Sequence, residues 1–268
     1  MGGIICHYTN AEGLLGIVAN KVFWASKSTF TNDPSEIRFA AELIEELVNR
    51  RSLKPAFKDA LSGETGAIMA YDDIYVLSFS KNPDVLSMWN RYSKGGGYSL
   101  CFDSQMMEDQ ISAKYAEILR GRFEVIYDRE AQENELSADL EILITEYNQG
   151  NFLLGKVPNT KISNAVLRML FMPKHECYGD EQEVRYIFTI PNQLGSSSNM
   201  FKDWTQFRTR SGEIVPYIEI KFDPTNILKK VYLSPGSSKR QGEGVDLFLR
   251  KHLGGIGVYT STLPYLEL

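Results

Sequence analysis

The chain has 268 residues, a formal net charge of −5 and a pI near 5.4. This acidic balance excludes a generally basic nucleic-acid-binding protein, and short basic runs such as Arg208 with Arg210 are interpreted as solvated surface. No apolar run approaches the roughly 20 residues that a membrane-spanning helix needs. With 43% hydrophobic and 24% charged residues, the composition is that of a soluble globular protein.

The three cysteines, Cys6, Cys101 and Cys177, are far apart along the chain. An odd number with no close pair predicts free thiols in a reducing compartment. The N-terminal segment lacks the basic region and the long apolar stretch of a secretory signal. We therefore expect a cytoplasmic protein without a membrane partner.

Apolar patterns in the N-terminal third predict short strands alternating with helices. Asn32-Asp33-Pro34 predicts a turn that starts the second helix. Residues 52–73 are weakly patterned and are interpreted as a short helix and a connection. The other predicted elements are strand Ile4–Tyr8, helix Ala11–Ala19, strand Val22–Ala25 and helix Glu36–Arg50.

The segment Tyr75–Asp103 predicts a strand, a helix and a second strand around a polar and aromatic loop. Ser78 and Ser80 put small hydroxyl groups at the end of the first strand, which looks open to a ligand. The helix carries Trp89 and Tyr92 and ends at a run of three glycines, whose backbone could approach a phosphate or a sugar closely. A glycine-rich turn between two core elements explains this window equally well.

The strongest strand of the C-terminal half is Glu183–Ile190, followed by Pro191. Residues 193–199 have the composition of a flexible loop. Further helices are predicted at 105–119, 130–147, 160–171 and about 244–252, and further strands at 123–127, 217–222, 231–233 and 258–262. Helices dominate early, strands dominate late, and there is no phosphate-binding P-loop. The pattern predicts one α+β domain over residues 1–268, with a central mixed or antiparallel sheet flanked by helices.

The chain has three histidines, and each is a candidate for a functional role. His7 ends the first strand where the sheet meets solvent, His175 precedes the strongest late strand, and His252 lies near the end of a polar helix. The alternative is structural, because a lone histidine at a strand end is more often a hydrogen-bonding residue than a catalyst.

Glu181 and Glu183 flank one glutamine, so on a strand both carboxylates would lie on one face. Two neighbouring carboxylates repel and separate their pKa values, which suits acid–base chemistry or stabilisation of an oxocarbenium ion. Arg185 continues that face. The alternative is an exposed ladder in which Arg185 neutralises both glutamates.

Two other kinds of site are weaker candidates. Cys6-His7 and His175-x-Cys177 each place two potential zinc ligands close together, but the chain has no C-x-x-C or H-E-x-x-H spacing, and no metal site is predicted. A Cys177 nucleophile paired with His7 or His175 lacks an identifiable activating group.

Five motifs follow one another along the chain: His7-Tyr8-Thr9, Asn32-Asp33-Pro34 with Glu36, Ser78-Phe79-Ser80, Met88-Trp89 with Tyr92, and Lys174-His175 with Glu181, Glu183 and Arg185. Their order resembles an uncharacterised prokaryotic family catalogued as domain of unknown function 2971, over nearly the whole chain. The family name implies no activity.

An early histidine, a middle aromatic motif and a late glutamate also resemble the His-Tyr-Glu arrangement of ADP-ribosyltransferases. This resemblance implies a split-sheet core and NAD as the substrate. It implies catalytic roles for His7 at the adenine-side ribose, Tyr92 or Trp89 at the nicotinamide ring, and Glu183 at the nicotinamide ribose. Glu181 competes with Glu183 for the last role. The remaining residues that it assigns to binding NAD are Tyr8, Thr9, Ser78, Ser80 and Arg185.

The resulting hypothesis is an NAD-dependent ADP-ribosyltransferase-like enzyme, a toxin or defence effector that modifies a protein or nucleic acid. A second hypothesis is a module that senses a nucleotide or a partner protein through the same cleft without turnover. A third is an interaction protein that binds a partner through the helices near 36–50 and 130–147, although such apolar stripes are more often core.

Overall fold

The computed structural model describes residues 3–31, 35–92, 96–152, 160–191 and 200–264, apart from the side chain of Tyr71. The predicted turn at residues 32–34, the first glycine of the glycine run and the predicted loop at 193–199 lie outside the described residues.

Ten strands in the described part of the chain form one sheet. They are β1 (Ile4–Thr9), β2 (Val22–Lys27), β3 (Asp72–Ser80), β4 (Tyr98–Asp103), β5 (Leu119–Glu124), β6 (Glu183–Pro191), β7 (Thr205–Arg210), β8 (Glu213–Lys221), β9 (Leu228–Leu233) and β10 (Gly257–Thr260). The main path runs β10-β9-β4-β1-β3-β2-β8-β7, and β6 joins β5 to β3. Strands β9 and β10 are parallel and the other pairs are antiparallel.

Helices flank this sheet, and the predicted α+β class with a central mixed sheet is confirmed. No helix in the described ranges is both long and apolar enough to cross a membrane. The α-helices are α1 (Ala11–Ala19), α2 (Glu36–Arg50), α3 (Pro55–Tyr71), α4 (Leu86–Tyr92), α5 (Ser104–Tyr115), α6 (Arg129–Asn148), α7 (Thr160–Phe171), α8 (Met200–Trp204) and α9 (Lys239–Leu253), and 3₁₀ helices span Ser28–Phe30 and Glu176–Glu181.

The sheet splits along one edge of β3. The other edge of β3 pairs with β6 over its whole length, from Asp72 to Ser80. On the split edge, β2 pairs with Tyr75 and Val76, whereas β1 pairs only with Ser80. Strands β1 and β2 therefore diverge between these positions and open the sheet beside Leu77 to Phe79.

Apolar cores cover both faces of the central strands. Alternation sends Tyr75 and Leu77 to a core that α1, α5 and α9 complete, and sends Ile74 and Val76 to a second core under α2, α3, α6 and α7. The third hypothesis proposed the apolar stripes of α2 and α6 as partner-binding surfaces. These stripes lie in the second core, through residues such as Leu43, Leu47, Leu136 and Leu140. Because both faces are buried, charged side chains on β6 are enclosed as well.

Three regions differ from the sequence prediction. The strand predicted at 123–127 is β5, Leu119–Glu124, and the helix predicted at 105–119 ends at Tyr115. Residues 52–73, expected to hold only a short helix, form the 17-residue helix α3, and Pro55 begins it at a position where proline's missing N–H costs nothing. The glycines Gly63 and Gly66 interrupt the apolar pattern inside this helix. Helix α8 and strand β7 were not predicted.

The prediction of three free thiols is wrong. Cys6 and Cys101 form a disulfide, with their Cα atoms 4.1 Å apart. The two residues are 95 positions apart in sequence but directly opposite each other in the β1–β4 register. Spacing along the chain could not show this pairing, because the sheet register creates it. Cys177 is free and exposed.

Candidate functional site

A cavity of about 1040 Å³ opens at the split in the sheet. Its walls come from β1, β2, β3, β6 and β7, from α2 and α4, and from the 3₁₀ helix that precedes β6. This volume lies at the upper end of the range found for small-molecule sites. Eight residues proposed from the sequence line it: His7, Tyr8, Thr9, Ser78, Tyr92, Glu181, Glu183 and Arg185.

His7 fills the gap where β1 leaves β3. Its Nδ1 atom lies 3.0 Å from the main-chain oxygen of Ser78. A carbonyl oxygen can only accept, so Nδ1 carries the proton and Nε2 keeps a free lone pair. The imidazole also meets the rings of Phe23 and Phe79 edge-on, at 5.2 and 5.6 Å.

The charge state of His7 follows from this enclosure. Burial lowers the pKa of His7, and the positive charge of Arg208 lowers it further, whereas the hydrogen bond to Ser78 opposes the shift. The imidazole is thus a neutral hydrogen-bond acceptor at physiological pH, in the lining of the cavity.

Glu183, the first residue of β6, is held by a rigid set of donors. Arg185 donates from Nε and Nη2 to its two carboxylate oxygens at 2.8 and 2.7 Å, and Lys174 Nζ lies 3.0 Å from Oε2. The nearby hydroxyl of Ser78 also lowers the pKa of this carboxylate. Because the Tyr127 hydroxyl also accepts the backbone N–H of Glu183 at 3.0 Å, both main chain and side chain are fixed.

Lys174 and Arg185 extend the cluster to two more carboxylates. Lys174 Nζ lies 2.6 Å from Glu181 and 3.4 Å from Glu36, and Arg185 forms a second ion pair with Glu36. Arg91, on α4, pairs with the remaining oxygen of Glu181. Three glutamates thus face three cations, and the cluster is neutral.

The aromatic ring of Tyr178 covers this cluster from the 3₁₀ helix. The Lys174 ammonium lies 5.1 Å and the Arg91 guanidinium 5.2 Å from the centre of the ring. Such contacts stabilise partly desolvated cations. Tyr178 and Tyr92 both line the cavity, which therefore has flat apolar surfaces beside its carboxylates.

The two glutamates around Gln182 have different protonation behaviour. Burial alone would raise the pKa of Glu183, but the charge and hydrogen bonds of Arg185, with Lys174 and Ser78, lower it to about 2. Burial raises the pKa of Glu181 despite the nearby Lys174. Glu183 is therefore the permanent anion of the pair.

The predicted same-face arrangement of these glutamates arises in another way than expected. Glu181 ends the 3₁₀ helix, and Gln182 adopts a left-handed conformation with φ 39° before β6 begins. Strand alternation does not apply across that turn, but both carboxylates form ion pairs with Lys174 and therefore lie close together. The alternative of an exposed ladder is wrong, because Glu181, Glu183 and Arg185 are 5%, 8% and 3% exposed.

Two residues proposed for NAD binding, Ser80 and Trp89, lie outside the cavity lining. The Ser80 hydroxyl exchanges hydrogen bonds with the main chain of Asn82, and the Trp89 indole donates to Asp84 at 2.7 Å. Trp89 packs edge-on against Tyr8, 4.8 Å between ring centres. Both side chains hold the loop after β3.

The weaker sequence candidates lie elsewhere. His175 accepts a hydrogen bond from the backbone N–H of Cys177 and caps the 3₁₀ helix, and both residues are exposed and outside the lining. His252 contacts Phe248 on α9. In the glycine run, the backbone of Gly97 pairs with Ser234 and does not line the cavity. The Gly97 N–H donates to the Ser234 hydroxyl, and the Ser234 N–H donates to the Gly97 carbonyl oxygen.

Sequence reasoning missed most of the charged partners. Glu36, Arg91 and Lys174 stand in or beside the family motifs, but only their positions in space reveal one cluster. Arg208 was set aside as solvated surface, although it lines the cavity from β7. The sequence of β7, TQFRTR, shows little alternation of apolar and polar residues, so periodicity predicted neither the strand nor the position of Arg208 on it.

Residues 88–186, from within α4 to within β6, match a family described as "Protein of unknown function (DUF2971)". The predicted resemblance to this family is therefore confirmed for the central segment, which contains Tyr92, Lys174, Glu181, Glu183 and Arg185. The motifs around His7 and Ser78 lie outside it. No curated protein and no solved structure matches the chain.

Proposed function

We propose that the cavity binds NAD and that the protein is an ADP-ribosyltransferase-like enzyme. The observation that carries this proposal is that His7, Tyr92 and Glu183, which are far apart in sequence, line the same cavity. The split beside β3 supports it further, because the split lets side chains from β1 and β6 meet in one space.

The proposed reaction breaks the bond between the nicotinamide nitrogen and C1′ of its ribose. The bonding electrons leave with nicotinamide, which departs neutral, and C1′ gains oxocarbenium character. Water or an acceptor group then attacks C1′ and releases a proton. A carboxylate close to C1′ stabilises the developing positive charge.

The residues of the chain suit distinct parts of this reaction. Glu183 supplies a carboxylate that stays ionised, because its pKa is lowered to about 2. The free lone pair of His7 Nε2 can accept a hydrogen bond from a ribose hydroxyl. Tyr92 and Tyr178 offer flat surfaces for the nicotinamide ring, since aromatic faces hold a planar ring at little cost in entropy.

A test of turnover measures nicotinamide released from NAD, with water as the acceptor. We expect wild type to release nicotinamide, Glu183→Gln to lose about 100-fold or more, and Tyr92→Leu to be impaired. Tyr259→Leu, at an exposed tyrosine outside the lining, should behave as wild type. Near-ultraviolet circular dichroism checks that each variant is folded. Equal inactivity of wild type and Glu183→Gln across protein and nucleic-acid acceptors would contradict the enzyme proposal.

The second candidate function is nucleotide sensing without turnover. Glu183 favours it, because Arg185 and Lys174 already donate hydrogen bonds to both oxygens of its carboxylate. In that case nucleotides would raise the melting temperature, as any ligand of the native state does, and nicotinamide would not be released.

The biological role and the location in the cell are also part of the ADP-ribosyltransferase proposal. A role as a toxin or defence effector in a prokaryote depends on the sequence resemblance alone. The predicted cytoplasmic location depended partly on free cysteines, and the Cys6–Cys101 disulfide removes that part of its support.

A further inference from the structure

The wall of the cavity opposite the glutamate cluster is positively charged. It is formed by β7, the edge strand of the sheet, where Arg208 and Arg210 are two residues apart and both line the cavity. Trp24 and Ser26 of β2 and Phe30 of the first 3₁₀ helix complete this wall.

Arg208 is held in position, but no carboxylate in the described ranges neutralises its charge. Its Nη2 atom donates to the Ser26 hydroxyl at 2.8 Å, and its guanidinium lies 5.1 Å from the ring centre of Trp24 and 5.6 Å from that of Tyr217. Its Nε–H is buried and has no hydrogen-bond partner among the residues that the structure describes. Arg210 donates to the main-chain oxygen of Phe30 at 2.6 Å, and to no carboxylate of the described residues.

Neither arginine forms an ion pair with any residue that the structure describes. The contrast with the glutamate cluster is clear, because there three carboxylates balance three cations. A half-buried guanidinium with an unused donor is unfavourable unless an anion or water satisfies it. Burial lowers the pKa of Arg208, and the nearby charge of Arg210 adds to this effect.

We propose that Arg208 and Arg210 form a binding site for a phosphate group of the cavity's ligand. The planar guanidinium fork matches two oxygens of a phosphate, and the two aromatic rings hold that plane in one orientation. A ligand with phosphate at one end and hydroxyl groups at the other would place the phosphate on β7 and the hydroxyls near His7 and Glu183.

For NAD this orientation puts the diphosphate at Arg208 and the nicotinamide ribose at Glu183, and that assignment rests on the proposed function. The phosphate site itself does not, since it requires only a phosphate-bearing ligand.

Isothermal titration with pyrophosphate, ADP and adenosine tests the phosphate site in the whole chain. We expect pyrophosphate and ADP to bind more tightly than adenosine to wild type. Arg208→Gln should weaken ADP binding about 10- to 100-fold, because hydrogen bonds to charged groups are lost, and should leave adenosine binding unchanged. Arg208→Lys, which keeps the charge but loses the fork, should lie between the two. Arg240→Gln, at an exposed arginine on α9, is the matched control and should bind ADP as wild type does.

Arg208→Gln removes a cation that has no ion-pair partner among the described residues, so its melting temperature should be no lower than that of wild type. If Arg208→Gln does not fold, Arg210→Gln replaces it in the test. Pyrophosphate should raise the melting temperature of wild type at constant ionic strength. Equal ADP affinity in wild type and the variants at Arg208 and Arg210, or no binding of any phosphate compound, would overturn the phosphate site. ADP binding that depends on Arg208, without nicotinamide release from NAD, would instead reject only the proposed enzyme activity.

Discussion

The Nδ1 atom of His7 lies 3.0 Å from the main-chain oxygen of Ser78, at the place where β1 and β2 diverge from the edge of β3. At this position the His7 side chain donates to the Ser78 carbonyl oxygen, in place of the backbone N–H of a neighbouring strand. The same contact fixes the imidazole tautomer and leaves Nε2 available in the cavity. One residue thus stabilises the split and contributes to the candidate site.

Two substitutions separate these contributions. His7→Asn can keep a donor toward Ser78 but removes Nε2, so we expect near wild-type stability and loss of nicotinamide release. His7→Phe leaves the Ser78 oxygen without its partner and should lower the free energy of unfolding by about 1–3 kcal/mol. Urea unfolding and the nicotinamide assay measure the two effects. Full activity in His7→Asn would remove His7 from the proposed mechanism.

The buried cluster should depend on its charge balance. Lys174→Met leaves three glutamates with two arginines, and we expect a loss of about 3–5 kcal/mol in the free energy of unfolding. Lys174→Met with Glu181→Gln restores neutrality and should recover part of this loss. Lys81→Met, which breaks the exposed pair with Glu124, is the control and should cost less than about 1 kcal/mol. Strict additivity of the two cluster substitutions in urea unfolding would argue against a coupled cluster.

Asp139, on α6, should make stability depend on pH. Burial raises its pKa to about 6, although Arg168, whose Nε lies 3.3 Å from Oδ2, opposes the shift; neither carboxylate oxygen accepts a hydrogen bond from a described residue. The folded state therefore binds a proton more tightly than the unfolded state, whose aspartate has a pKa near 3.8. This contribution to stability is present below about pH 4 and is lost as the pH rises through about 6.

The stability of Asp139→Asn relative to wild type should consequently increase as the pH rises. We expect its free energy of unfolding, relative to wild type, to be about 1–3 kcal/mol higher at pH 8 than at pH 4. Urea titrations at several pH values measure it. Glu141→Gln, at an exposed carboxylate of the same helix that pairs with Arg51 instead, should follow the pH profile of wild type. A constant difference between Asp139→Asn and wild type would show that Asp139 has no raised pKa.

The disulfide predicts a thiol count. Alkylation of the denatured, unreduced protein should modify one cysteine, Cys177, and alkylation after reduction should modify three. Cys177→Ser should reduce the first count to zero. Reduction should also destabilise the fold by about 2–5 kcal/mol, since the bridge closes a long loop. Three labels before reduction, seen by intact mass, would contradict the disulfide.

Sequence patterns predicted the elements whose periodicity is strong. Strand β6, with its alternating apolar residues, and helix α2, with its apolar stripe, were found at nearly their observed bounds. Helix α3 was underestimated because Gly63 and Gly66 interrupt its pattern, and its burial supplies the stability that local propensity does not.

The candidate site was only partly predictable, for a physical reason. Motif order indicated His7, Tyr92 and Glu183, but pairing partners depend on where strands meet. The ion pair between Glu36 and Arg185 joins residues 149 positions apart. Trp89 was assigned to the nicotinamide ring from its residue type, whereas its indole N–H is engaged by Asp84. A left-handed conformation at Gln182, a residue type that seldom adopts it, could not be expected from sequence either.

The central claim is that one ligand occupies the cavity between Glu183 and Arg208. A crystal structure of the protein with ADP-ribose, or with NAD bound to Glu183→Gln, tests it most directly. The account predicts a phosphate oxygen within hydrogen-bond distance of the Arg208 guanidinium, a ribose hydroxyl beside His7, and the nicotinamide-side ribose beside residue 183. A nucleotide bound on another surface, with this cavity holding only solvent, would contradict it.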